Sequence, residues 1–178
     1  MKRALFLDRD GVINVDRGYV YRKEEFVFVD GIFDLCRYMQ GLGNLIIIVT
    51  NQAGIGRGYY SEKDFQVLTN WMCMKFLNEG IIITDVYHCP YHPLSGVGRY
   101  KKDSECRKPK PGMLIKAAKK YQIDLSKSTL IGDKITDIEA GLAAGIRKNI
   151  LLTSEHIENN KFLCVLNLNS ALNCLKKV

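Results

Sequence analysis

Short apolar runs alternate with amphipathic segments along most of this chain, and this alternation limits the possible folds more than any other feature. The first run, residues 4–7, is wholly apolar and stops at Asp8. Runs that are apolar on both faces are typical of buried parallel strands, whereas helices repeat apolar residues at intervals of three and four. The alternation therefore predicts an α/β fold, a doubly wound, Rossmann-like parallel sheet with helices on both faces.

The other elements follow from the same two patterns. Predicted strands cover residues 4–7, 45–49, 81–87, 129–132 and 149–152. Predicted helices cover residues 31–42, 61–77, 111–121 and 135–144, and the tail at 162–175 adds a short strand and a helix. Ser61 is the expected N-cap of the second helix, with Asp64 where a capping box has Glu or Gln, so we expect an incomplete box. The length of 178 residues suits a single domain over residues 1–178.

Three segments do not follow the alternation. Residues 11–29 are expected to form a hairpin-like flap, with no segment large enough for a cap domain. Residues 89–109 form a long loop with several prolines and glycines, and loops of that length are usually functional or tied down. Residues 54–58 are rich in glycine, and we expect a flexible connector there rather than a cradle for phosphate.

The composition excludes several classes of protein. No apolar run reaches the length of about 18 residues that a membrane-spanning helix needs, and the apolar stretch at the N-terminus is too short for a signal peptide. The net charge is +7, which suits a polyanion or a phosphorylated metabolite. No RNA-recognition motif or zinc-finger spacing is present. We therefore expect a cytoplasmic monomer that binds a small phosphorylated molecule, with no nucleic acid or membrane partner.

Polar residues stand where the predicted strands end, and the carboxyl ends of parallel strands are where ligands bind in such sheets. They are Asp8 and Asp10 after the first strand, Thr50, Asn51 and Gln52 after the second, Asp133 and Lys134 after the fourth, and Lys108 before the third helix. Any one of them has an ordinary explanation, such as a solvated surface or a helix cap. Their joint order along the chain predicts a functional site.

This set of side chains suits phosphoryl transfer. Clustered carboxylates repel one another unless a cation joins them, and Mg²⁺ prefers oxygen ligands. Asp8 could attack phosphorus and carry the phosphoryl group, while Asp10 protonates the leaving oxygen and then activates water. Thr50 and Asn51 could donate hydrogen bonds to phosphoryl oxygens, and Lys108 would supply fixed positive charge.

The same residues resemble the four motifs of the haloacid dehalogenase superfamily. The matching stretches are residues 5–12, residues 49–52, Lys108, and residues 131–134 with Asp137, within a resemblance that spans residues 3–153. Residues 13–20, 51–58 and 106–113 resemble, within that superfamily, the D-glycero-D-manno-heptose 1,7-bisphosphate phosphatases. The histidinol-phosphate phosphatases are near relatives with the same frame. The short flap without a large cap domain fits this branch.

The resemblance implies a role for each matched residue. Asp8 would be the nucleophile and Asp10 the acid and base, and Mg²⁺ would be bound by Asp8, the Asp10 carbonyl and Asp133. Residues implied to contact substrate are Asp16, Arg17, Gly18, Tyr19, Thr50, Asn51, Gln52, Ala53, Arg107, Lys108 and Lys134. Arg107, with Arg17 and Arg57 as further candidates, offers positive charge for a second phosphate. The implied product, heptose 1-phosphate, would feed activated heptose and lipopolysaccharide synthesis.

Three other functions remain open at this point. A histidinol-phosphate phosphatase would share the same frame, and residues 14–19 are the feature that favours the heptose substrate. A non-catalytic scaffold that binds a phosphorylated ligand is the second alternative, although the complete set of Asp8, Asp10, Lys108 and Asp133 favours an enzyme. Removal of a 3′-phosphate from DNA ranks last, because no groove for stacked bases can be identified.

The long loop carries an incomplete version of a zinc pattern. In the resembled family, zinc often holds this loop through Cys-x-His and Cys-x-Cys. Here Tyr91 and Ser104 occupy two of the four ligand positions, which leaves a degenerate set of Cys89, Cys106 and a displaced His92. Because structural zinc needs four closed ligands, the sequence argues against structural Zn²⁺. A disulfide between the two cysteines is opposed by a reducing cytosol.

Overall fold

The computed structural model describes residues 1–155, 157–158 and 160–177, and its centre is a six-stranded parallel sheet. The strands are β1 (Arg3–Leu7), β2 (Asn44–Asn51), β3 (Ile83–Cys89), β4 (Thr129–Gly132), β5 (Lys148–Leu152) and β6 (Leu163–Val165). Their order is β3-β2-β1-β4-β5-β6, and each neighbouring pair is parallel. The chain winds outward in both directions from the β1/β4 pair, so a crevice is expected at the carboxyl ends of these two strands.

Helices cover both faces of this sheet. They are α1 (Ile32–Gly41), α2 (Ala53–Gly56), α3 (Glu62–Asn78), α4 (Gly112–Tyr121), α5 (Ile135–Ala143) and α6 (Leu168–Lys176). Buried side chains of α1, α3 and α6 belong to one hydrophobic core, and those of α4 and α5 belong to a second core on the opposite face. The predicted doubly wound α/β architecture is therefore confirmed. None of the helices in the described residues is long and apolar enough to cross a membrane.

Strand β1 shows how the sequence produces two cores. Leu5 and Leu7 face the core under α1, α3 and α6, whereas Ala4 and Phe6 face the core under α4 and α5. All four side chains are fully buried. Complete burial of a Leu or Phe side chain contributes about 1.5–3 kcal/mol, so an uninterrupted apolar run is favoured in a central parallel strand.

The ends of the predicted elements shift by no more than two residues, and two local predictions are wrong. The Ser61 hydroxyl accepts a hydrogen bond from the Asp64 backbone, and the Ser61 backbone donates to the Asp64 carboxylate at 2.8 Å, so the capping box is complete. Residues 54–58 are not a flexible connector, because α2 begins at Ala53 and buries Gly54. The glycine there serves close packing, since a Cβ atom on Gly54 would lie 2.2 Å from the Tyr60 ring.

The predicted flap at residues 11–29 lies next to the carboxyl edge of the sheet. The Val15 amide donates to the Val27 carbonyl at 2.9 Å, which closes the segment on itself in a hairpin-like loop. The Phe28 ring packs on Trp71 of α3 with 6.0 Å between the ring centroids. These contacts close the flap and pack its base against α3, and its tip at Gly18 and Tyr19 lies at the carboxyl edge of the sheet.

Candidate active site

Most of the predicted site residues surround a cavity of about 410 Å³ at the carboxyl edge of the sheet, although Thr50, Asp133 and Arg17 are not among its lining residues. The cavity is lined by Asp8, Asp10, Asp16, Gly18, Tyr19, Asn51, Gln52, Ala53, Gly54, Arg57, Tyr60, Arg107, Lys108, Lys134, Thr136 and Asp137. These residues come from the ends of β1 and β2, from α2, from the beginning of α5, from the flap and from the loop before α4. The fold thus brings together most of the side chains that the sequence singled out.

Lys108 is the buried cation of this cavity, with only 3% of its surface exposed. Its Nζ lies 2.9 Å from Asp8 Oδ1 and 2.6 Å from Asp137 Oδ1, and it donates to the Val49 carbonyl at 2.8 Å. Burial alone would lower the pKa of Lys108, but the carboxylates of Asp8 and Asp137 hold that pKa above its ordinary value. The ammonium group therefore stays charged and fixed beside Asp8.

The two oxygens of Asp8 have different surroundings. Oδ1 accepts hydrogen bonds from Lys108 and, at 2.8 Å, from the Arg9 amide. Oδ2 has no hydrogen-bond partner among the residues that the structure describes. Burial, opposed by Lys108 and assisted by the charge of Asp137, raises the pKa of Asp8 to about 7. One oxygen of this carboxylate is thus held in place, and the other is available to a ligand.

Asp8, Asp133 and Asp137 form a cluster in which one carboxylate oxygen from each lies within 4.8 Å of the others. Both oxygens of Asp137 are engaged, one by Lys108 and the other by the Lys134 amide at 3.0 Å. Asp133 Oδ1, by contrast, is buried without a hydrogen-bond partner in the described part of the chain, and burial raises the pKa of Asp133 to about 6. The unpaired oxygen of Asp133 and the neighbouring carboxylate of Asp8 fit a divalent cation that prefers oxygen ligands.

Two glycines make room for these carboxylates. Gly11 has a φ of +86°, which favours glycine, and a Cβ atom there would lie 2.2 Å from Asp133 Oδ2. A Cβ atom on Gly132 would lie 2.3 Å from the Asp137 Cβ. The glycine after Asp10 and the glycine before Asp133 therefore serve the site directly.

Asp10 lies on the cavity wall, where donors from three residues hold its carboxylate. Arg9 Nη2 donates to both oxygens, at 2.8 and 2.9 Å, Asn14 Nδ2 donates to Oδ1 at 3.0 Å, and Gln52 Nε2 donates to Oδ2 at 3.0 Å. The same Nη2 atom of Arg9 also donates to the Val20 carbonyl in the flap at 2.7 Å. Arg9 therefore connects the carboxylate of Asp10 to the flap.

Neighbouring groups hold the residues that end β2. The side-chain amide of Asn51, which was expected to donate to phosphoryl oxygens, is paired with the Lys108 backbone through two hydrogen bonds of 3.1 Å, and its second Nδ2 hydrogen is not used in this pairing. Asn51 therefore positions Lys108, because it fixes the backbone of that residue. Thr50 is fully buried, and its hydroxyl oxygen accepts from Gln52 Nε2 at 2.9 Å, so its own hydrogen remains available for donation.

Two arginines stand at the outer part of the cavity. Arg57 Nη1 donates to the Tyr19 hydroxyl at 2.6 Å, and Arg107 Nη1 donates to the Tyr91 carbonyl at 3.2 Å. Burial and the nearby charge of Arg57 lower the pKa of Arg107. Within the described residues, no carboxylate is hydrogen bonded to either guanidinium. Two neighbouring cations with spare donors favour binding of an anion.

Asp16, Gly18 and Lys134 line the flap side of the cavity, as predicted, and Lys134 Nζ lies 3.2 Å from Asp16 Oδ2. Arg17, which was also predicted to contact substrate, is exposed and lines a separate surface depression beside Glu25. The structure therefore does not bring Arg17 to the cavity.

The degenerate zinc set does not converge in the structure. Cys89 is buried and lies beside the half-buried Cys106, whose Sγ is 3.1 Å from Ser104 Oγ. His92 instead accepts hydrogen bonds through Nδ1 from the Leu94 amide at 3.2 Å and the Ser95 amide at 3.0 Å. In the described part of the chain, the cluster of side chains that could hold a metal ion consists of Asp8, Asp133 and Asp137.

Several residues of this site could not be identified from the sequence alone. Asp137 was part of a motif but received no role, because an acidic residue in the first turn of a helix is common without any function. Asn14, Tyr60 and Arg9 were not selected, since they hold the site residues through contacts between distant segments. The resemblance in residues 5–12 and 13–20 covered Arg9 and Asn14 without giving them a role, and no matched segment contained Tyr60.

Comparison with known proteins agrees with this geometry. A family model described as HAD-hydrolase-like matches residues 105–160, a segment that contains Lys108, Asp133 and Asp137. A D-glycero-alpha-D-manno-heptose-1,7-bisphosphate 7-phosphatase of Burkholderia mallei is 57% identical over 150 residues, which cover 84% of this chain and 79% of that protein. A D-glycero-beta-D-manno-heptose-1,7-bisphosphate 7-phosphatase of Haemophilus influenzae is 44% identical over 152 residues, 85% of this chain and 82% of that protein.

Solved structures show the same fold. A HAD-like phosphatase of Mesorhizobium loti superposes with a TM-score of 0.90 at 34% identity and covers 99% of this chain and 87% of its own. A D,D-heptose 1,7-bisphosphate phosphatase of B. bronchiseptica, complexed with magnesium and phosphate, gives a TM-score of 0.84 at 24% identity over 99% of both chains.

The parallel sheet, the carboxylates at its carboxyl edge and these matches define a protein of the haloacid dehalogenase-like hydrolase class. Within that class, the relatives share 44–57% identity with this chain over most of their length. The chain belongs to the D-glycero-D-manno-heptose-1,7-bisphosphate 7-phosphatase family.

Proposed function

We propose that this protein removes the 7-phosphate of D-glycero-D-manno-heptose 1,7-bisphosphate and releases heptose 1-phosphate. The names of the relatives support the substrate. The observation that carries the reaction is the environment of Asp8, whose Oδ1 is held by Lys108 and by the Arg9 amide. Its free Oδ2 is the atom that would attack.

The reaction would have two steps. Asp8 Oδ2 attacks the phosphorus atom, the bond between phosphorus and the carbon-7 oxygen breaks, and Asp10 gives a proton to the leaving oxygen. Asp10 then takes a proton from the water that attacks the aspartyl phosphate, which releases phosphate and restores Asp8. Lys108 would offset the negative charge that gathers on the phosphoryl oxygens, and the free hydrogen of Thr50 would be donated to one of them.

Mg²⁺ would be held by Asp8, by Asp133 and, as the family resemblance implies, by the backbone carbonyl of Asp10. When bound, it would neutralise the charge of the carboxylates and the phosphate. The support lies in the buried, unpaired oxygen of Asp133 and in the magnesium present in the B. bronchiseptica protein. Lys134 and Asp137 complete the surroundings of this cation, since their contacts fix the beginning of α5.

The outer cavity suits the rest of the substrate. Arg57 and Arg107 would bind the phosphate that is not hydrolysed, because a planar guanidinium matches phosphate oxygens. Asp16, Gly18 and Tyr19 of the flap would contact sugar hydroxyls. This division gives the protein a reacting phosphate at Asp8 and a second phosphate that orients the sugar.

The partner is thus a small phosphorylated sugar, and the protein would act on it as a monomer in the cytoplasm. The net charge of +7 is consistent with a substrate that carries two phosphates. Gel filtration of the purified protein checks the monomeric state, and elution at the size of a dimer would contradict it.

Steady-state kinetics test the substrate. With Mg²⁺ present, we expect kcat/KM for the heptose bisphosphate to exceed that for histidinol phosphate by about 100-fold or more, since groups built to pair with one substrate reject another that leaves them unpaired. Both anomers should be measured, because relatives are named for each. Phosphorus NMR of the product should show the 1-phosphate retained. A higher kcat/KM for histidinol phosphate, or loss of the 1-phosphate, would contradict the assignment.

A further inference from the structure

The amide of Gln52 stands between three polar groups that fix its orientation. Its Nε2 atom lies 3.0 Å from Asp10 Oδ2 and 2.9 Å from Thr50 Oγ1. Nε2 donates to both of these oxygens, so the nitrogen end of the amide faces Asp10 and Thr50. The oxygen end, Oε1, must then face the opposite way, toward the hydroxyl of Tyr60.

Tyr60 completes this arrangement, because its hydroxyl donates to Gln52 Oε1. Burial raises the pKa of the Tyr60 phenol, so the group keeps its proton. With Oε1 engaged by this hydroxyl, each of the two hydrogens on Nε2 has one acceptor. Without the hydroxyl, nothing else in the described part of the chain donates to Oε1, and the amide could turn.

Tyr60 is itself held firmly. Only 7% of its surface is exposed, and its ring stacks on Tyr21 of the flap with 5.2 Å between centroids and 4° between planes. Gly54 of α2 packs against the edge of the Tyr60 ring, since a Cβ atom on Gly54 would lie 2.2 Å from Tyr60 Cε1. The hydroxyl is therefore directed at Gln52 by packing from both the flap and α2.

We propose that Tyr60 is a positioning residue for phosphoryl transfer, which acts through Gln52 to aim the carboxylate of Asp10 at the oxygen of the leaving group. The inference rests on the proposed function, because it needs Asp10 to protonate the leaving oxygen. Tyr60 does not touch the reacting atoms. Its effect arises because the Gln52 amide can then donate to both neighbours at once.

The step that depends most on this alignment is proton transfer from Asp10. A sugar alkoxide is a poor leaving group and needs that proton, whereas p-nitrophenolate leaves readily without it. Attack by Asp8 is common to both substrates. Loss of the Tyr60 hydroxyl should therefore slow hydrolysis of the sugar bisphosphate far more than hydrolysis of p-nitrophenyl phosphate.

The test compares kcat/KM for these two substrates in Tyr60→Phe, which keeps the stacked ring and removes only the hydroxyl. We expect a loss of about tenfold or more for the heptose bisphosphate, as misalignment within an active site produces, and a change within about twofold for p-nitrophenyl phosphate. Tyr59→Phe is the matched control, because Tyr59 is exposed and next in sequence, and it should leave both values unchanged.

Asp10→Asn in the same assay separates two kinds of failure. If Asp10→Asn lowers kcat/KM equally for both substrates, Asp10 is not the general acid, and the proposed role of Tyr60 is wrong as well. Asp10→Asn could instead lower kcat/KM only for the bisphosphate, while Tyr60→Phe changes kcat/KM for neither substrate or lowers it equally for both. In that case only the role of Tyr60 is wrong. Should Tyr60→Phe fail to fold, Gln52→Leu takes its place, with the same selective loss expected and an equal loss contradicting the inference.

Discussion

At the scale of single residues, the site depends on how buried charges are paired. Lys108 forms ion pairs with both Asp8 and Asp137, and Asn51 fixes the backbone of Lys108. The sequence predicted that Lys108 and Asp8 lie at the same edge of the sheet, since Asp8 ends a predicted strand and Lys108 precedes a predicted helix. It could not predict that Asp137 would share the lysine, because this contact joins the loop before α4 to the first turn of α5.

Lys108→Met should destabilise the fold as well as abolish activity. The substitution leaves two buried carboxylates without their cation, which costs about 3–5 kcal/mol in the free energy of unfolding. The pKa of Asp8, already about 7 with the lysine present, would rise further. A carboxyl group with a raised pKa costs stability only where it is ionised, so the loss should be larger at pH 8 than at pH 5.

Urea unfolding at these two pH values measures the effect. Lys120→Met is the control, because this lysine pairs with Asp85 at the surface with 57% of its side chain exposed. A surface pair contributes about 1 kcal/mol or less. Equal losses for the two variants, or a larger loss for Lys108→Met at pH 5, would show that the buried carboxylates are not coupled to Lys108.

Arg107→Ala should affect substrates according to their number of phosphates. The guanidinium stands at the outer cavity with spare donors, so its loss should lower kcat/KM for the heptose bisphosphate by about 10–100-fold, as removal of a charged hydrogen bond does. Hydrolysis of p-nitrophenyl phosphate should change by no more than about threefold, since that substrate has no second phosphate for the guanidinium to bind. Arg99→Ala, at an exposed arginine, is the control. An equal loss on both substrates would place Arg107 at the reacting phosphate instead.

At the scale of elements, regular segments could be predicted and irregular ones could not. The strands were identified because a doubly covered sheet requires uninterrupted apolar runs, as β1 shows. Helix α2 was missed, since four residues are too few to display helical periodicity. The capping box at Ser61 was misjudged because the shorter side chain of Asp64 does reach the backbone of the cap.

Gly54→Ala tests whether α2 supports the site by close packing. The new methyl group would meet the Tyr60 ring at 2.2 Å and Tyr19 at 2.9 Å, so a shift is unavoidable. We expect a loss of about 1–3 kcal/mol in the free energy of unfolding, with a fall in activity. Gly41→Ala is the matched control, since nothing lies within 4 Å of a Cβ atom there. A Gly54→Ala variant as stable and active as wild type would show that the packing around Tyr60 is loose.

At the scale of the whole molecule, the carboxyl edge of the sheet holds more negative charge than the buried cation Lys108 balances. Asp8, Asp133 and Asp137 meet there around Lys108. Their convergence could be predicted because the carboxyl ends of parallel strands share an edge. The unequal use of their oxygens could not, since it depends on side-chain contacts between β4, α5 and the loop before α4.

Mg²⁺ should therefore stabilise the protein in a pH-dependent way. Burial raises the pKa of Asp8 to about 7 and that of Asp133 to about 6, above the value of about 3.9 in unfolded chains. Without metal, stability should fall as the pH rises through this window, because ionisation is costly. At pH 8 both groups are ionised and bind the cation without displacing protons, so the increase in Tm with Mg²⁺ should be larger at pH 8 than at pH 5.

Thermal unfolding with and without Mg²⁺ checks this dependence. Asp133→Asn should reduce the increase in Tm, whereas Asp103→Asn, at an exposed carboxylate, should preserve it. An increase in Tm that is independent of pH, or that survives Asp133→Asn, would mean that the metal binds elsewhere.

The most direct test of the mechanism is to identify the residue that carries the phosphoryl group. Protein mixed with heptose bisphosphate and Mg²⁺ is quenched in acid within milliseconds, digested and mapped by mass spectrometry. We predict one phosphoryl group on Asp8, absent from Asp8→Asn, together with a fall in turnover of that variant by several orders of magnitude. A phosphoryl group on another residue, or substantial turnover by folded Asp8→Asn, would contradict the assignment of Asp8 as the nucleophile.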